Sequence, residues 1–366
     1  MGFAILSIGT ASPEFKIQQS DAAELAQSFT GNDGPRSLQV LQKLYERTGV
    51  HTRHSVLLKS SSNGAPANQD FYPVGSPGEL GPSTADRMLA YQSYAGKLAC
   101  QAATEALHLA KVPADQISHL ITVSCSGFAA PGVDIELITE LGLSADVART
   151  HVGFMGCHGS LNGLRMARAI AESDPSANVL LCAVELCSLH YQYGSERDQM
   201  VANALFSDGA AAVVGTSSTG PYESTTNMEL TANGSSIIPD TRDMMGWRID
   251  DHGFCMTLSP QVPAIINEQL APWMDAWLKS HSLTRADIQG WCVHPGGPRI
   301  LQATEDSLEL SSDALAPSRQ ILSQFGNMSS PTILFVLQNM LAQATKTPIV
   351  MLGFGPGLAI EAALIK

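Results

Sequence analysis

The stretch that decides the fold is ADQISHLITVSCSG, residues 114–127, because its outline returns as ADIQGWCVHPGG at residues 286–297. In both stretches, acidic or amide residues precede a short apolar run, and small residues follow it. A short apolar run closed by turn residues is typical of a buried strand. The recurrence therefore predicts two copies of one α/β unit within the chain.

The two copies also agree in the segment after each strand. Cys157 comes 34 residues after Val123, and Asn327 comes 34 residues after Val293. Cys157 begins the helix-like segment CHGSLNGLRMARAIAE, and Asn327 directly precedes the helix-like segment MSSPTILFVLQNMLAQ. If the copies pack about a pseudo-two-fold axis, we expect the two helix N-termini to converge on one site. His294, which ends the strand of the second copy, would enter the same site.

A third match joins LFSDGAAAVVG to MLGFGPGLAIEAALI, each of which sets a glycine turn ahead of a small-residue strand. Apolar strands that alternate with helices predict an α/β fold whose sheets are covered on both faces. The polar stretch at residues 215–227 separates the copies. It predicts an N-terminal half, residues 1–216, which carries Cys157, and a C-terminal half, residues 217–366, which carries His294 and Asn327.

The composition excludes several classes of function. The 366 residues are 44% hydrophobic and 15% charged, which is typical of a soluble globular protein. A net charge of −13 argues against nucleic acid or an anionic membrane as a partner. No apolar run reaches the roughly 18 residues that span a bilayer. The first residues, MGFAILSIGTASPE, lack a basic leader, so we expect a cytoplasmic location.

Seven cysteines occur without a CxxC pair, so neither a disulfide framework nor a structural metal site is expected. The thiols are expected to be reduced. A lone cysteine in an apolar context is often buried filler, and the residues alone leave that alternative open for Cys157. Its glycine-rich flanks and its pairing with Asn327 by the repeat favour a nucleophile.

Such a nucleophile needs a lowered pKa, because the thiolate is the reactive form. A helix N-terminus favours the anion, and His294 could accept the proton. We therefore expect both features to lower the pKa of Cys157. His158 is not expected to take part, since neighbouring helix residues point about 100° apart. Asn327 can donate its amide NH₂ and, beside a histidine donor, form a hole for an oxyanion or enolate on a thioester.

An anionic ligand would need a local cluster of cations on this acidic chain. The densest cluster is Lys43, Arg47 and Arg53 in LQKLYERTGVHTRHS. Lys43 and Arg47 are four residues apart and share one face if the stretch is helical. The alternative is an ordinary solvated face.

The chain resembles the type III polyketide synthases, the chalcone-synthase-like enzymes, from about Ile5 to its C-terminus. The resemblance rests on motifs in matching order and spacing: GFMGCHGSLNGLRMA, ALFSDGAAAVV, WCVHPGGPRIL, LSQFGNMSSPTILFVL and GFGPGLAIEAAL. It implies a thiolase-like αβαβα fold built from two duplicated α/β halves, a homodimer, and a catalytic triad of Cys157, His294 and Asn327.

The resemblance also implies a reaction. Cys157 would take an acyl starter from an acyl-CoA, and His294 with Asn327 would stabilise the enolate formed when malonyl-CoA loses carbon dioxide. Repeated condensation and then cyclisation give the product. No metal or other cofactor is implied, because the coenzyme A thioesters are substrates. The alternatives are a ketosynthase III-type condensing enzyme and a Cys-His-Asn acyl hydrolase.

Other positions are assigned by the same resemblance. Lys43 and Arg47 match residues that contact CoA phosphates, whereas the third basic position of that set is Val40. The remaining assignments concern the substrate cavity and its gatekeepers: Phe206, Met256 (with Phe254 as a nearby alternative), Cys187, Cys125, Trp247 and Ser329. Cys187 and Cys125 replace threonines of the plant enzymes, and Trp247 falls near a glycine. These departures favour a non-plant enzyme with a fatty acyl starter and an alkylpyrone or alkylresorcinol product, unless the cysteines only fill space.

Overall fold

The computed structural model describes residues 2–29, 35–59, 68–74, 76, 78–194, 196–220, 222 and 226–366. Its strands are β1 (Phe3–Ala11), β2 (Lys16–Gln18), β3 (Thr52–His54), β4 (His119–Ser124), β5 (Ala148–Gly153), β6 (Asn178–Leu186), β7 (Asp208–Ser217), β8 (Met228–Ile237), β9 (Met245–Asp250), β10 (Gly253–Leu258), β11 (Gly290–Val293), β12 (Ile349–Gly355) and β13 (Ala359–Ile365). Its helices are α1 (Gln19–Phe29), α2 (Pro35–Glu46), α3 (Thr84–Ala110), α4 (Val133–Leu141), α5 (Gly159–Ser173), α6 (Arg197–Leu205), α7 (Val262–Ser280), α8 (Pro298–Leu308), α9 (Ala316–Phe325) and α10 (Thr332–Ala342).

The main sheet confirms the internal repeat. Its order is β11-β12-β13-β8-β1-β7-β6-β4-β5. The run β11-β12-β13-β8 mirrors the run β4-β6-β7-β1, and each run has one parallel pair and then antiparallel pairs. Only three residue pairs join β1 to β8 at the centre. The extra strand β5 lies at one edge, where five of its six residues are exposed.

Three hydrophobic cores show how the layers stack. The central core contains residues of α5, α10 and the facing sides of both half-sheets. A second core lies between α3, α4 and the outer side of the first half-sheet. A third lies between α7, α8 and the outer side of the second half-sheet. The order helix, sheet, helix, sheet, helix is the thiolase-like αβαβα fold that the sequence predicted.

Local sequence explains the start of the longest helix, α3, and the complete burial of strand β6. Ser83 caps α3 and forms a capping box with Asp86, so that each side chain accepts from the other residue's backbone N–H. All nine residues of β6, NVLLCAVEL, are buried because helices cover both faces of the strand. The predicted boundary at 215–227 lies between the end of β7 and the start of β8, and residues 221 and 223–225 are outside the described residues. The division at residue 216 stays a prediction.

Helix α10 begins later in the chain than the repeat indicated, whereas the segment at Cys157 begins where it was expected. Cys157 lies in a 3-10 turn, Gly156–His158, that runs directly into α5. Asn327, by contrast, is not in the first turn of its helix, because α10 begins at Thr332. Asn327 instead forms an isolated parallel bridge with Phe206, in which its N–H donates to the Leu205 carbonyl. The two residues still lie close together, as the site geometry shows.

Candidate active site

A tight turn places Cys157 at the start of α5. Gly156 has a φ of +76°, a conformation that favours glycine, and a Cβ there would lie 2.6 Å from Cδ of Pro356. The chain can therefore pass close to the β12–β13 turn just before the cysteine. The part of Cys157 that stays accessible faces an internal cavity.

Asn327 and Ser329 reach the thiol from the second half of the chain. Both side chains lie close enough to Cys157 to oppose the rise of its pKa through their hydrogen-bonding groups. The Asn327 Oδ1 accepts from the Ser329 N–H at 2.8 Å, which fixes the orientation of the amide and leaves Nδ2 as its donor end. The structure thus brings together Cys157 and Asn327, as the repeat predicted.

His294 follows β11 and is 2% exposed. Its backbone N–H donates to the Leu352 carbonyl at 2.8 Å, so the residue continues the β11–β12 pairing. Neither ring nitrogen has a hydrogen-bond partner among the described residues. Burial first, and the neighbouring His158 second, lower the pKa of His294 to about 3.

The expected lowering of the Cys157 pKa is wrong for the unliganded cavity. Burial raises the pKa of the thiol to about 11, and the charge of Glu185 acts in the same direction. Hydrogen bonds from Ser329 and Asn327 oppose this rise without cancelling it. The sequence argument counted the helix N-terminus and the imidazole but not the removal of water. The raised pKa of Cys157 and the lowered pKa of His294 both favour the neutral forms of these side chains.

The catalytic cavity, as we call the space beside Cys157, has a volume of about 40 Å³. All six predicted cavity residues line it: Cys125, Cys187, Phe206, Trp247, Met256 and Ser329. Met256 lines this cavity, whereas Phe254 does not. Of these two residues, Met256 is therefore the one that lines the cavity beside Cys157.

An apolar cavity of about 100 Å³ adjoins the catalytic cavity. It extends towards α1, and four residues line both spaces: Cys187, Phe206, Trp247 and Met256. Phe206 is thus one of the residues shared by the two cavities, and its role as a gatekeeper stays a prediction. Because the two cavities share these wall residues, the apolar cavity borders the space beside Cys157.

Trp247 is held rigidly in the wall between the two cavities. Its Nε1 donates to the Cys125 carbonyl at 2.8 Å, and its ring packs edge-on against His190. The sequence analysis missed His190, which stacks on Phe254 with ring centroids 4.1 Å apart. The His190 Nε2 donates to the Ser126 carbonyl, and Nδ1 accepts from the Phe254 N–H. Burial lowers the pKa of His190 to about 3, so it serves as a neutral, fully paired wall residue.

Glu185 is a second residue that the sequence analysis missed. It is fully buried beside the catalytic cavity and accepts from the N–H groups of Cys125 and Ser126 and from the hydroxyls of Ser126 and Ser330. Burial raises its pKa, and these hydrogen bonds oppose the rise. The signal for it was a single acid inside the apolar strand NVLLCAVEL.

An outer cavity of about 300 Å³ is lined by Leu205, which precedes Phe206 in the chain, and by Gly297. Arg47 and Arg299 line it. Lys43 is exposed on α2 one turn before Arg47 but does not line the cavity, and Val40 is 62% exposed. Arg53 does not belong to this cationic group, because its guanidinium donates to the backbone carbonyls of Asn203 and Phe206.

No helix within the described ranges is long and apolar enough to cross a membrane. The same ranges contain no cluster of three or more His, Cys, Asp or Glu side chains that could hold a metal ion.

Comparison with known proteins gives the family. The N-terminal domain of chalcone and stilbene synthases matches residues 2–218, and their C-terminal domain matches residues 229–366. The 1,3,6,8-tetrahydroxynaphthalene synthase of Streptomyces peucetius subsp. caesius is 33% identical over 100% of this chain and 93% of its own length. The alpha-pyrone synthesis polyketide synthase-like Pks18 of Mycobacterium tuberculosis is 30% identical over 98% of this chain and 90% of its own length.

Solved structures agree with this result. The crystal structure of PKS-I from the brown alga Ectocarpus siliculosus superposes with a TM-score of 0.91 at 29% identity, covering 100% of this chain and 98% of that one. The C-terminal type III polyketide synthase domain of Steely1 from Dictyostelium superposes with a TM-score of 0.87 at 27% identity, covering 100% of this chain and 99% of that one. The chain belongs to the chalcone and stilbene synthase family and is a type III polyketide synthase, a decarboxylating condensing acyltransferase.

Proposed function

We propose that Cys157 is the acyl carrier of this synthase and that His294 and Asn327 complete its triad. The Cys157 proton passes to His294, and the thiolate attacks the carbonyl of an acyl-CoA. Coenzyme A leaves as its thiolate, which takes a proton from solvent, and the acyl group stays on Cys157. The observation that carries this proposal is the approach of the buried Asn327 side chain to the thiol of Cys157, which lines the catalytic cavity.

Chain extension then uses malonyl-CoA. The bond between the carboxylate and the methylene carbon of malonyl-CoA breaks and releases carbon dioxide. The electron pair of that bond forms an enolate whose negative charge lies on the thioester oxygen. The Asn327 amide, whose Oδ1 is held by the Ser329 N–H, and the protonated His294 ring donate to that oxygen. The enolate carbon attacks the acyl carbonyl, the bond to Cys157 breaks, and the longer chain leaves on coenzyme A. An amide suits this role because a carboxylate would repel the developing charge.

We propose a fatty acyl starter and an alkylpyrone or alkylresorcinol product. The apolar cavity shares four wall residues with the catalytic cavity, so an alkyl chain on Cys157 has an apolar space within reach. Trp247 stands in that shared wall and restricts the passage. A relative of 30% identity is named for alpha-pyrone synthesis, which supports a pyrone as the product.

The coenzyme A moiety of both substrates is assigned to the outer cavity. Arg47 lines that cavity, and Lys43 precedes it by one helical turn, so both are placed to meet phosphates. No metal or further cofactor enters the scheme, since neither step needs one. We assign the enzyme to the cytoplasm because its donors are coenzyme A thioesters.

A second copy of the chain is the proposed protein partner. The edge strand β5 is exposed along most of its length. Phe128, Ile135, Phe154 and Met155 add exposed apolar surface close to it in the chain, with Phe128 at 51%. An unpaired edge beside such a patch favours pairing with another protomer. Light scattering on the purified protein should give the mass of a dimer, and a monomer would refute this part.

One experiment tests the proposed reaction. The purified protein is incubated with malonyl-CoA and, in turn, acetyl-, hexanoyl-, dodecanoyl-, palmitoyl- and p-coumaroyl-CoA, and the products are identified by mass. We expect alkylpyrones or alkylresorcinols, with the long-chain starters preferred. Product from p-coumaroyl-CoA alone would refute the fatty acyl starter, and free acid without extension would indicate hydrolysis. The absence of both product and carbon dioxide release would refute the synthase reaction itself.

A further inference from the structure

His158 lies beside the catalytic site and has no role in the scheme above. It is 2% exposed and packs on the end of β12. A Cβ at Gly353 would lie 3.3 Å from Cβ of His158, and one at Gly355 would lie 2.6 Å from its Nε2. Two strand glycines thus provide the space that the imidazole ring occupies.

The register of β11 and β12 sets His158 next to His294. Val293 pairs with Leu352, and the His294 N–H donates to the Leu352 carbonyl, so His294 and Gly353 are neighbours across the two strands. Cys292 and Met351 both face the central core, so the alternation of side chains turns residues 294 and 353 to that same side. Neighbouring strands lie about 4.8 Å apart. The Cβ of His158 therefore lies over the cross-strand neighbour of His294, and the His158 ring extends from there towards Gly355.

The hydrogen bonds of His158 determine which of its nitrogens is free. Its Nδ1 lies 2.8 Å from Oδ1 of Asn162, one helical turn along α5. Since Oδ1 can only accept, Nδ1 carries the proton. The neutral ring then has a lone pair on Nε2, and this atom is buried without a partner among the described residues. Both nitrogens of His294 are in the same condition.

Burial favours the neutral form of the His158 ring. Burial lowers its pKa, and Arg165 on α5 acts in the same direction, whereas Glu361 on β13 raises it. Arg165 and Glu361 form an ion pair, so the carboxylate is already neutralised. The third titratable group that faces it is His294, whose pKa a charged His158 would lower. A neutral His158 offers His294 a lone pair.

We propose that His158 is a positioning residue for His294: one buried water accepts the Nδ1 proton of His294 and donates to Nε2 of His158, and this bridge turns the other nitrogen of His294 towards Cys157. This inference rests on the proposed function of His294. The accepted proton keeps Nε2 of His294 free to take the Cys157 proton. The same lone pair then stabilises the imidazolium that donates to the enolate. This proposed role differs from the expectation that His158 takes no part.

The test compares His158→Phe, which fills the space without an acceptor, with His158→Gln, which keeps one. Alkylation of Cys157 by iodoacetamide is followed from pH 6 to pH 10 by peptide mass spectrometry, and kcat and KM for malonyl-CoA are measured in parallel. For His158→Phe we expect alkylation about tenfold slower at neutral pH and a kcat lower by about 10- to 100-fold with KM unchanged. His158→Gln should recover most of the loss. His108→Phe, an exposed histidine on α3, is the matched control and should equal the wild type.

A folded His158→Phe protein with the wild-type pH profile and kcat would overturn the inference. If that variant does not fold, Asn162→Ala decides, because it releases the His158 tautomer and should shift the same profile less strongly. Wild-type behaviour of Asn162→Ala would then refute the inference. If His294→Ala also keeps full activity, the proposed triad fails; if only the His158 and Asn162 variants are silent, the triad stands and His158 is structural.

Discussion

In the first half of the chain, Cys157 lies in a 3-10 turn that runs directly into α5, whereas in the second half four residues separate Asn327 from α10. The two positions match by the repeat, yet they meet different chemical needs. A thiolate benefits from the free N–H groups of a helix N-terminus. An amide donor needs only orientation, which Asn327 obtains from its bridge to Phe206 and from the Ser329 N–H. The repeat therefore accounts for the proximity of Cys157 and Asn327, and the local differences in structure account for the different environments of the thiol and the amide.

The strands that lead into the site differ in the same way. Ser124 ends β4 and lies within a network with Tyr91 and Glu185. His294 occupies the matching place after β11 and has no partner at either ring nitrogen among the described residues. The first half thus holds a satisfied polar network, and the second half holds a buried imidazole without a hydrogen-bond partner among the described residues.

Removal of the nucleophile tests the first half most severely. Cys157→Ala should lower the rate of condensation at least about a thousandfold, because no other group can carry the acyl chain. Product formation by mass spectrometry is the measurement. Cys100→Ala is the matched control, a partly exposed cysteine on α3 outside the three cavities that form the site. Polyketide formation by Cys157→Ala at a comparable rate would mean that the nucleophile is misassigned.

Asn327→Asp tests the second half. The carboxylate keeps the size of the amide but removes the donor and repels the enolate charge, so decarboxylation of malonyl-CoA should fall by about 10²- to 10³-fold. Release of labelled carbon dioxide is the measurement. The loading of Cys157 should be much less affected, because the acyl transfer does not form that enolate. A variant that decarboxylates normally would remove Asn327 from the triad.

The matching strands β7 and β13 each bury a carboxylate, Asp208 and Glu361. Arg165 pairs with Glu361, whereas Asp208 receives only neutral donors from Ser188 and Val56. Burial raises the pKa of Asp208 from 3.8 to about 6. The stability that this group contributes is present below its unfolded pKa and is lost as pH rises through about 6.

The free energy of unfolding of the wild type, relative to that of Asp208→Asn, should therefore fall by as much as about 3 kcal/mol between roughly pH 4 and pH 7. Denaturant titrations of both proteins across that range measure it. Taking the difference cancels the other titrating groups. A difference that is constant with pH would show that Asp208 stays ionised when buried.

Each half of the chain contributes one arginine to the lining of the outer cavity. Arg47 lies before β3, and Arg299 lies at the start of α8. Arg47→Ala and Arg299→Ala should each raise KM for malonyl-CoA by about fivefold with kcat unchanged, since exposed charge pairs contribute up to roughly 1 kcal/mol. Lys43→Ala should have a smaller effect because Lys43 does not line the cavity. Steady-state kinetics at two salt concentrations measure this, and the effects should shrink at high salt. A change in kcat alone would argue against a binding role.

The sequence predicted the architecture because periodicity and repetition are local properties. The matched runs at 114–127 and 286–297 became β4 and β11, and the constant spacing to Cys157 and Asn327 correctly brought those residues together. The six cavity positions also gathered around the thiol. Spacing alone, however, could not show that α10 begins only at Thr332.

Properties that depend on several distant segments were missed or wrong. Arg53 lies near Arg47 in sequence, but its guanidinium turns inwards. It donates to the backbone carbonyl of Phe206, which is 153 residues away in the chain. The pKa of Cys157 rises because walls from both halves exclude water, which no local motif records. His158 was expected to take no part because of its direction on the helix, and only the glycines of β12 show that it packs against the strand that pairs with β11.

The central claim is that one half carries the acyl chain and the other stabilises the enolate. Peptide mass spectrometry of Asn327→Asp after incubation with palmitoyl-CoA and malonyl-CoA tests it most directly. We expect the Cys157 peptide to carry the palmitoyl group, unextended and accumulating, whereas the wild type turns over to product. Normal extension on this variant, or an acyl group on any residue other than Cys157, would contradict the division of roles between the two halves.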